Sequence, residues 1–246
     1  MESVVSMNDL DVSFAEPAAL HDRNFFPVLD RIRENDPVFS SASLHGWLLT
    51  RHEDVIAAFD DPRWSAKRLQ TRQFDVIPER EREALIPHLM RYTPDWLMNI
   101  DDEQHARVRR LVLKSFSRKI VDNLRPMIEQ ACDALIDRAL EKREFDFVDD
   151  IAFRLPASVI VGLLGVPEHC IGRMREWAGD ISAALAGATP TRDTVLAAEA
   201  ALQEMDAIFV AEVEKRKRHA GQPGNDLISA LVQAMGDAEA LTLEEL

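Results

Sequence analysis

Between Asp101 and Val121 the chain reads DDEQHARVRRLVLKSFSRKIV. Wound at about 100° per residue, this run places His105 and Arg109 one helical turn apart, beside Val108, Val112 and Phe116 on the side expected to face inward. An imidazole and a guanidinium in that arrangement can grip an anion. Arginine keeps its proton, so turning one inward requires a negative partner or carries a large desolvation cost. No acidic residue stands between Gln104 and Val121, so the partner cannot come from the same helix. It is either a carboxylate or phosphate on a ligand, or an Asp or Glu from another helix, with His105 then a satisfied core residue. Arg107, Arg110, Lys114 and Arg118 form a second stripe, which is either a solvated basic face or a docking patch for an acidic partner.

The elements that must position these residues follow from periodicity. After an irregular start, residues 26–34 read as a short helix, and Pro37 introduces a hairpin of extended runs over 38–41 and 47–50. A helix over 53–59 closes at Asp60-Asp61-Pro62. Residues 63–99, with prolines at 78, 87 and 94, form a long, partly helical loop of the kind that often carries function. Beyond it, helices are expected at about 103–116, 122–141, 150–164, 168–186, 193–219 and 226–235. The fold class is mainly α with a small β element. Thr242 and Glu245 repeat the spacing of a capping box in the last six residues, LTLEEL, so the sequence is expected to continue into a helix beyond Leu246.

Composition excludes several function classes. The 246 residues carry a net charge of −14, which disfavours nucleic acid and anionic lipid as partners. The longest apolar run, Val159 to Val166, is far short of the roughly 20 residues that span a bilayer, and no basic leader opens the chain, so a soluble, cytoplasmic protein is expected. Cys132 and Cys170 make neither a disulfide framework nor a metal motif. Cys132 shares an apolar helix face with Ile128, Leu135 and Ala139, which reads as core rather than reactive thiol.

The run WLMNIDDEQHARVRRLVLKSFS resembles the helix of bacterial soluble cytochromes P450 in which an H-x-x-x-R pair binds the haem propionates. Three further blocks are similar to that family in order and spacing: WLLTRHEDVIAAFDDPRWS, FDFVDDIAFRLPASVIVGLLGVPEH, and NDLISALVQA with the closing LTLEEL. Together they cover nearly the whole chain. The resemblance implies a single partial P450 domain over 1–246: a small β region and B helix at about 36–62, a B–C loop at 63–99 and a helical region at 103–246. It implies the amino-terminal part of that fold, truncated before the long central helix. It further implies haem b as cofactor, its propionates on His105 and Arg109, and a monooxygenase acting on a small lipophilic substrate. A ferredoxin or flavodoxin-type donor would meet the stripe of Arg107, Arg110, Lys114 and Arg118. The helices at 168–186 and 193–219, with apolar sides at Ile171, Met174, Ile181, Leu185 and at Leu202, Met205, Phe209, would be the F and G helices that roof the substrate pocket with the B–C loop. The family has Pro-Pro-Glu where this chain has Asp102, Glu103 and Gln104, so the opening of the helix differs.

Neither cysteine fits the axial thiolate, since Cys132 lies within an amphipathic helix and Cys170 follows LLGVPEH without a glycine-rich loop. Ala186-Gly187-Ala188-Thr189 matches an oxygen-activating motif only by chance, because Pro190 follows at once. Glu79 and Arg82 form an E-x-x-R too early in the chain to count. No residue is therefore assigned a catalytic or metal-ligating role, and the chain alone is expected to be inactive. The competing expectation is a haem-free P450-derived helical binding or assembly protein, or an inactive remnant.

Overall fold

The alternation of Val38-Phe39-Ser40-Ser41 turns Phe39 and Ser41 inward, and these residues form β1 (Val38–Ser41), antiparallel to β2 (Gly46–Leu49) with Val38 opposite Leu49 and Ser41 opposite Gly46. The computed structural model describes residues 25–234 apart from 43, 45, 68–73, 116–117, 143, 186–189, 219–223 and 225. The irregular start, the Ala186–Thr189 segment and the capping pattern at Thr242 lie outside the described residues. Helix α1 (Phe25–Asn35) places Ile32 against Phe39, with Val28 and Leu48 alongside. The open end of the hairpin is closed by Thr50, whose N–H and hydroxyl both donate to the Pro37 carbonyl, while Arg33 Nε donates to the Thr50 carbonyl at 3.0 Å. Helix α2 (His52–Asp60) follows, with Glu53 and Asp54 in its first turn, where negative charge suits the helix dipole.

The long loop expected over 63–99 is partly helical. It contains α3 (Glu79–Leu85), α4 (Pro87–Tyr92) with proline at its first position, and a 3₁₀ turn over Thr93–Asp95. Arg82 pairs with Asp75 at 3.0 Å and donates to the Ile77 carbonyl, so it braces the turn at 74–77 and has no part in a motif with Glu79. Phe74, Ile77, Ile86 and Leu89 pack on Ala184 of α8 (Cys170–Leu185) and on Val195, Ala198 and Leu202 of α9 (Arg192–Arg218).

The remaining helices are α5 (Asp102–Ser115), α6 (Arg118–Leu140), α7 (Arg154–Leu164) after a π-helical turn at Val148–Ala152, and α10 (Leu227–Ala234). Each expected helix is present with its ends shifted by a few residues, the largest shifts being at the starts of α6 and α7. Residues 116–117 between α5 and α6 lie outside the described residues, as does the expected inward position of Phe116. Ile100, Val108 and Leu111 join Leu227 and Leu231 in a second core, and Val161, Cys170, Trp177 and Ala201 make a third.

The glycine of LLGVP has a conformational reason. Gly165 ends α7 at φ +77°, and its N–H donates to the Val161 carbonyl. A side chain there would meet Arg216 and Asp226. Arg216 donates to the Gly165 carbonyl at 2.7 Å and to Asp226 at 3.0 Å and Glu212 at 2.6 Å, joining the ends of α7, α9 and α10 through one half-buried guanidinium.

Candidate functional site

The start of α5 is held from two directions. The Asp101 carboxylate accepts hydrogen bonds from the Ser65 hydroxyl at 2.5 Å and the Ala66 N–H at 3.0 Å, which ties the helix to the chain leaving α2. The Ser65 hydroxyl, followed by the Ala66 N–H, holds the Asp101 carboxyl below the usual carboxylate range. Gln104 Nε2 donates to Asp95 at 3.2 Å, fastening the same turn to the 3₁₀ segment. The His105 N–H donates to the Asp101 carbonyl at 3.1 Å. Asp102 takes φ +51°, a left-handed conformation that Asp and Asn tolerate better than other side chains with a Cβ. Where the resemblance leads one to expect proline, with φ near −65°, this chain opens the helix through a different backbone geometry.

His105 is half-buried and lines a cleft of about 750 Å³ whose wall includes Phe59, Trp64, Leu97, Met98 and Ile100. Phe59 is 85% exposed, Trp64 64% and Met98 67%, a concentration of exposed large apolar side chains that marks a contact surface. Four acids also reach the cleft, but two are committed: Asp101 as above, and Asp61 to Arg63, whose guanidinium holds the Asp61 carboxyl low.

Arg109 stands one turn beyond His105, about 6 Å along the axis. It is exposed, so the inward face expected for it is corrected: among the described residues the buried ones of α5 are Val108 and Leu111. The angular reason is plain, since a residue adjacent to Val108 is rotated by about 100° from it. Among the described residues neither His105 nor Arg109 has a side-chain ion pair. The basic stripe is also divided. Arg107 is half-buried and Arg110 exposed on α5, and both make interactions with other residues, whereas Arg118 opens α6 and so does not share their helix. The side chain of Lys114 lies outside the described residues.

The two cysteines differ: Cys132, expected in the core, is only half-buried, and it is Cys170 that joins a core cluster. Cys170 is buried, and desolvation pushes its thiol pKa up, the reverse of what a thiolate ligand needs. Cys132 is half-buried in α6 beside the buried Leu135 and Ala139. Sequence reasoning missed the anchoring role of Asp101 and the aromatic wall of Phe59 and Trp64. The first depends on a contact spanning 36 residues, which no local pattern announces. The second had a signal in the apolar residues flanking Asp60-Asp61-Pro62. Chemically, the exposed apolar wall suits a group with a broad apolar body.

No family model matches the chain. It is 33% identical over 223 residues to the epothilone C/D epoxidase of Sorangium cellulosum, an alignment covering 90% of this chain and 52% of that protein. It is 35% identical over 222 residues to cytochrome P450 107B1 of Saccharopolyspora erythraea, covering 88% and 51%. Among solved structures, epothilone B-bound cytochrome P450epoK superimposes with a TM-score of 0.76 at 32% identity, over 95% of this chain and 56% of that one. P450BioI in complex with acyl carrier protein ligated to hexadec-9Z-enoic acid gives 0.75 at 25% identity, over 91% and 54%. The chain thus spans about half the length of the curated relatives it matches. Among the described residues no helix is long and apolar enough to cross a membrane.

Proposed function

This chain belongs to the cytochrome P450 family, and from that premise we propose that it forms the part of a haem-thiolate monooxygenase that grips the porphyrin carboxylates and roofs the substrate. The observation that carries the reading is the pair at the head of α5: a half-buried imidazole on the wall of an apolar cleft, with a guanidinium one turn away that has no acidic partner among the described residues. The residues fit haem b. Apolar side chains suit the macrocycle, His105 offers a ring N–H, and Arg109 offers the planar fork that binds carboxylates bidentately. When bound, haem supplies reductive activation of O2 and insertion of one oxygen atom into a C–H bond.

The chain's own contribution is to bind, orient and exclude water. The links of Asp101 to Ser65 and Ala66 and of Gln104 to Asp95 hold the turn that carries His105, so the carboxylate edge meets a pre-set donor pair. Helices α8 and α9, with residues 63–99, form the pocket roof. Similarity to an epothilone epoxidase and to a P450 solved with a fatty acyl carrier protein supports a lipophilic substrate. The basic residues Arg107, Arg110, Lys114 and Arg118 favour an acidic ferredoxin or flavodoxin-type donor. The axial thiolate comes from outside these 246 residues, because neither cysteine is placed to provide it, and the chain alone turns over no substrate.

The test is a haem titration of the full chain followed by tryptophan fluorescence, since Trp64 lines the cleft. Saturable quenching is expected, weakened at least tenfold in the double variant His105→Ala/Arg109→Leu. Reduction under carbon monoxide should leave the Soret band away from the thiolate position. Equal quenching of wild type and variant would overturn the propionate assignment, and no binding at all would favour a haem-free assembly protein.

A further inference from the structure

Within α9 one carboxylate is buried against the loop that precedes α5. Glu199 is 7% exposed. Its Oε1 accepts the His88 N–H at 3.1 Å and lies 2.6 Å from His88 Nδ1, which therefore donates, while Oε2 accepts the Leu89 N–H at 2.9 Å. A single side chain thus takes three donors from one turn of α4. Two helical turns further along α9, Asp206 accepts from the Tyr92 hydroxyl and stands 3.9 Å from His88 Nε2. Both ends of α4 are fastened to the same face of one helix.

Beneath these bonds lies an apolar cluster whose buried members come only from residues 74–89 and from α8 and α9. Peeling the loop from α9 would expose that cluster to water and exchange three hydrogen bonds to Glu199 for bonds to solvent. We infer that Glu199 is a positioning residue that locks residues 74–96 to α9, so that this segment opens only when its contacts with Glu199 break. The segment is then no independent flap. Its consequence for a substrate pocket rests on the P450 reading above, in which this loop and α9 share the roof; the lock itself does not.

Hydrogen exchange of the full chain without haem tests the lock, so it can fail while the haem reading stands, and the reverse. In the wild type, amides of residues 86–92 should exchange no faster than those of residues 195–206. In Glu199→Ala the 86–92 amides should accelerate at least tenfold with α9 unchanged. A residue that merely stabilises the fold would raise both sets together, and that result overturns the inference. So does a wild-type loop already exchanging tenfold faster than α9, or a variant with unaltered loop exchange. Should Glu199→Ala not fold, Glu199→Gln decides the matter: its amide keeps one acceptor oxygen, and acceleration of at least threefold confined to 86–92 is expected. Unchanged exchange in that variant overturns the inference equally.

Discussion

Leu89 and Met98 stand close in sequence, yet the first is fully buried between α4 and α9 and the second is 67% exposed on the rim of the cleft beside α5. Around Leu89 every polar partner is matched: Glu199 meets three donors, and the Thr93 hydroxyl donates to the Leu89 carbonyl at 2.6 Å. Around Met98 the cleft presents the exposed rings of Phe59 and Trp64 together with Asp60 and Asp102. The first region satisfies its polar groups internally, whereas the second leaves large apolar side chains exposed, as contact surfaces do. The difference falls within the last third of one stretch, 63–99.

The largest effect that could break this contrast is in the core. Leu89→Ala should destabilise by about 2–5 kcal/mol, whereas Met98→Ala should stay within about 0.5 kcal/mol. Chemical denaturation of the two variants checks this, and comparable losses would dissolve the distinction. Next comes the junction at which the α9 side meets the rest. Gly165→Ala combines a positive φ with collision against Arg216 and Asp226, and a loss of about 2 kcal/mol is expected from thermal melts. An unchanged melting temperature would mean that the Arg216 cluster contributes little to joining α7, α9 and α10.

The smallest effect sharpens the electrostatic side. The Arg173 guanidinium, at 2.6 Å, and then the Trp177 indole N–H, at 3.0 Å, hold the Glu204 carboxyl down to about 2 from its ordinary 4.5. A depressed carboxylate pKa means that the unfolded chain binds the proton more tightly. Its contribution is therefore whole above about pH 4.5 and is lost as pH falls towards about 2. The melting-temperature gap between wild type and Glu204→Gln should be constant at neutral pH and close across that acid window. A gap independent of pH would place the effect in packing instead of charge.

Much of this was legible beforehand. Helical periodicity located α8 and α9 to within a few residues, because a two-sided helix must repeat its apolar positions every turn. The His105 to Arg109 spacing placed an imidazole and a guanidinium one turn apart on one helix, as α5 has them. The exposure of Arg109 was not legible: Val108 and Leu111 claimed the buried face, and which flank of a stripe sinks depends on what packs against it. Nor was the break before Arg118, which takes that residue off the α5 stripe.

By itself the sequence determined the class of the fold, the order of its helices and the presence of an imidazole and a guanidinium one turn apart, all of which follow from local period and residue chemistry. Only the tertiary structure decided that Glu199 would meet His88 and Leu89 across more than a hundred residues, that Asp101 would anchor to Ser65, and that Gly165 would give room to Arg216. Those contacts join groups distant in sequence, where the pairing is set by how helices pack and no local spacing records it.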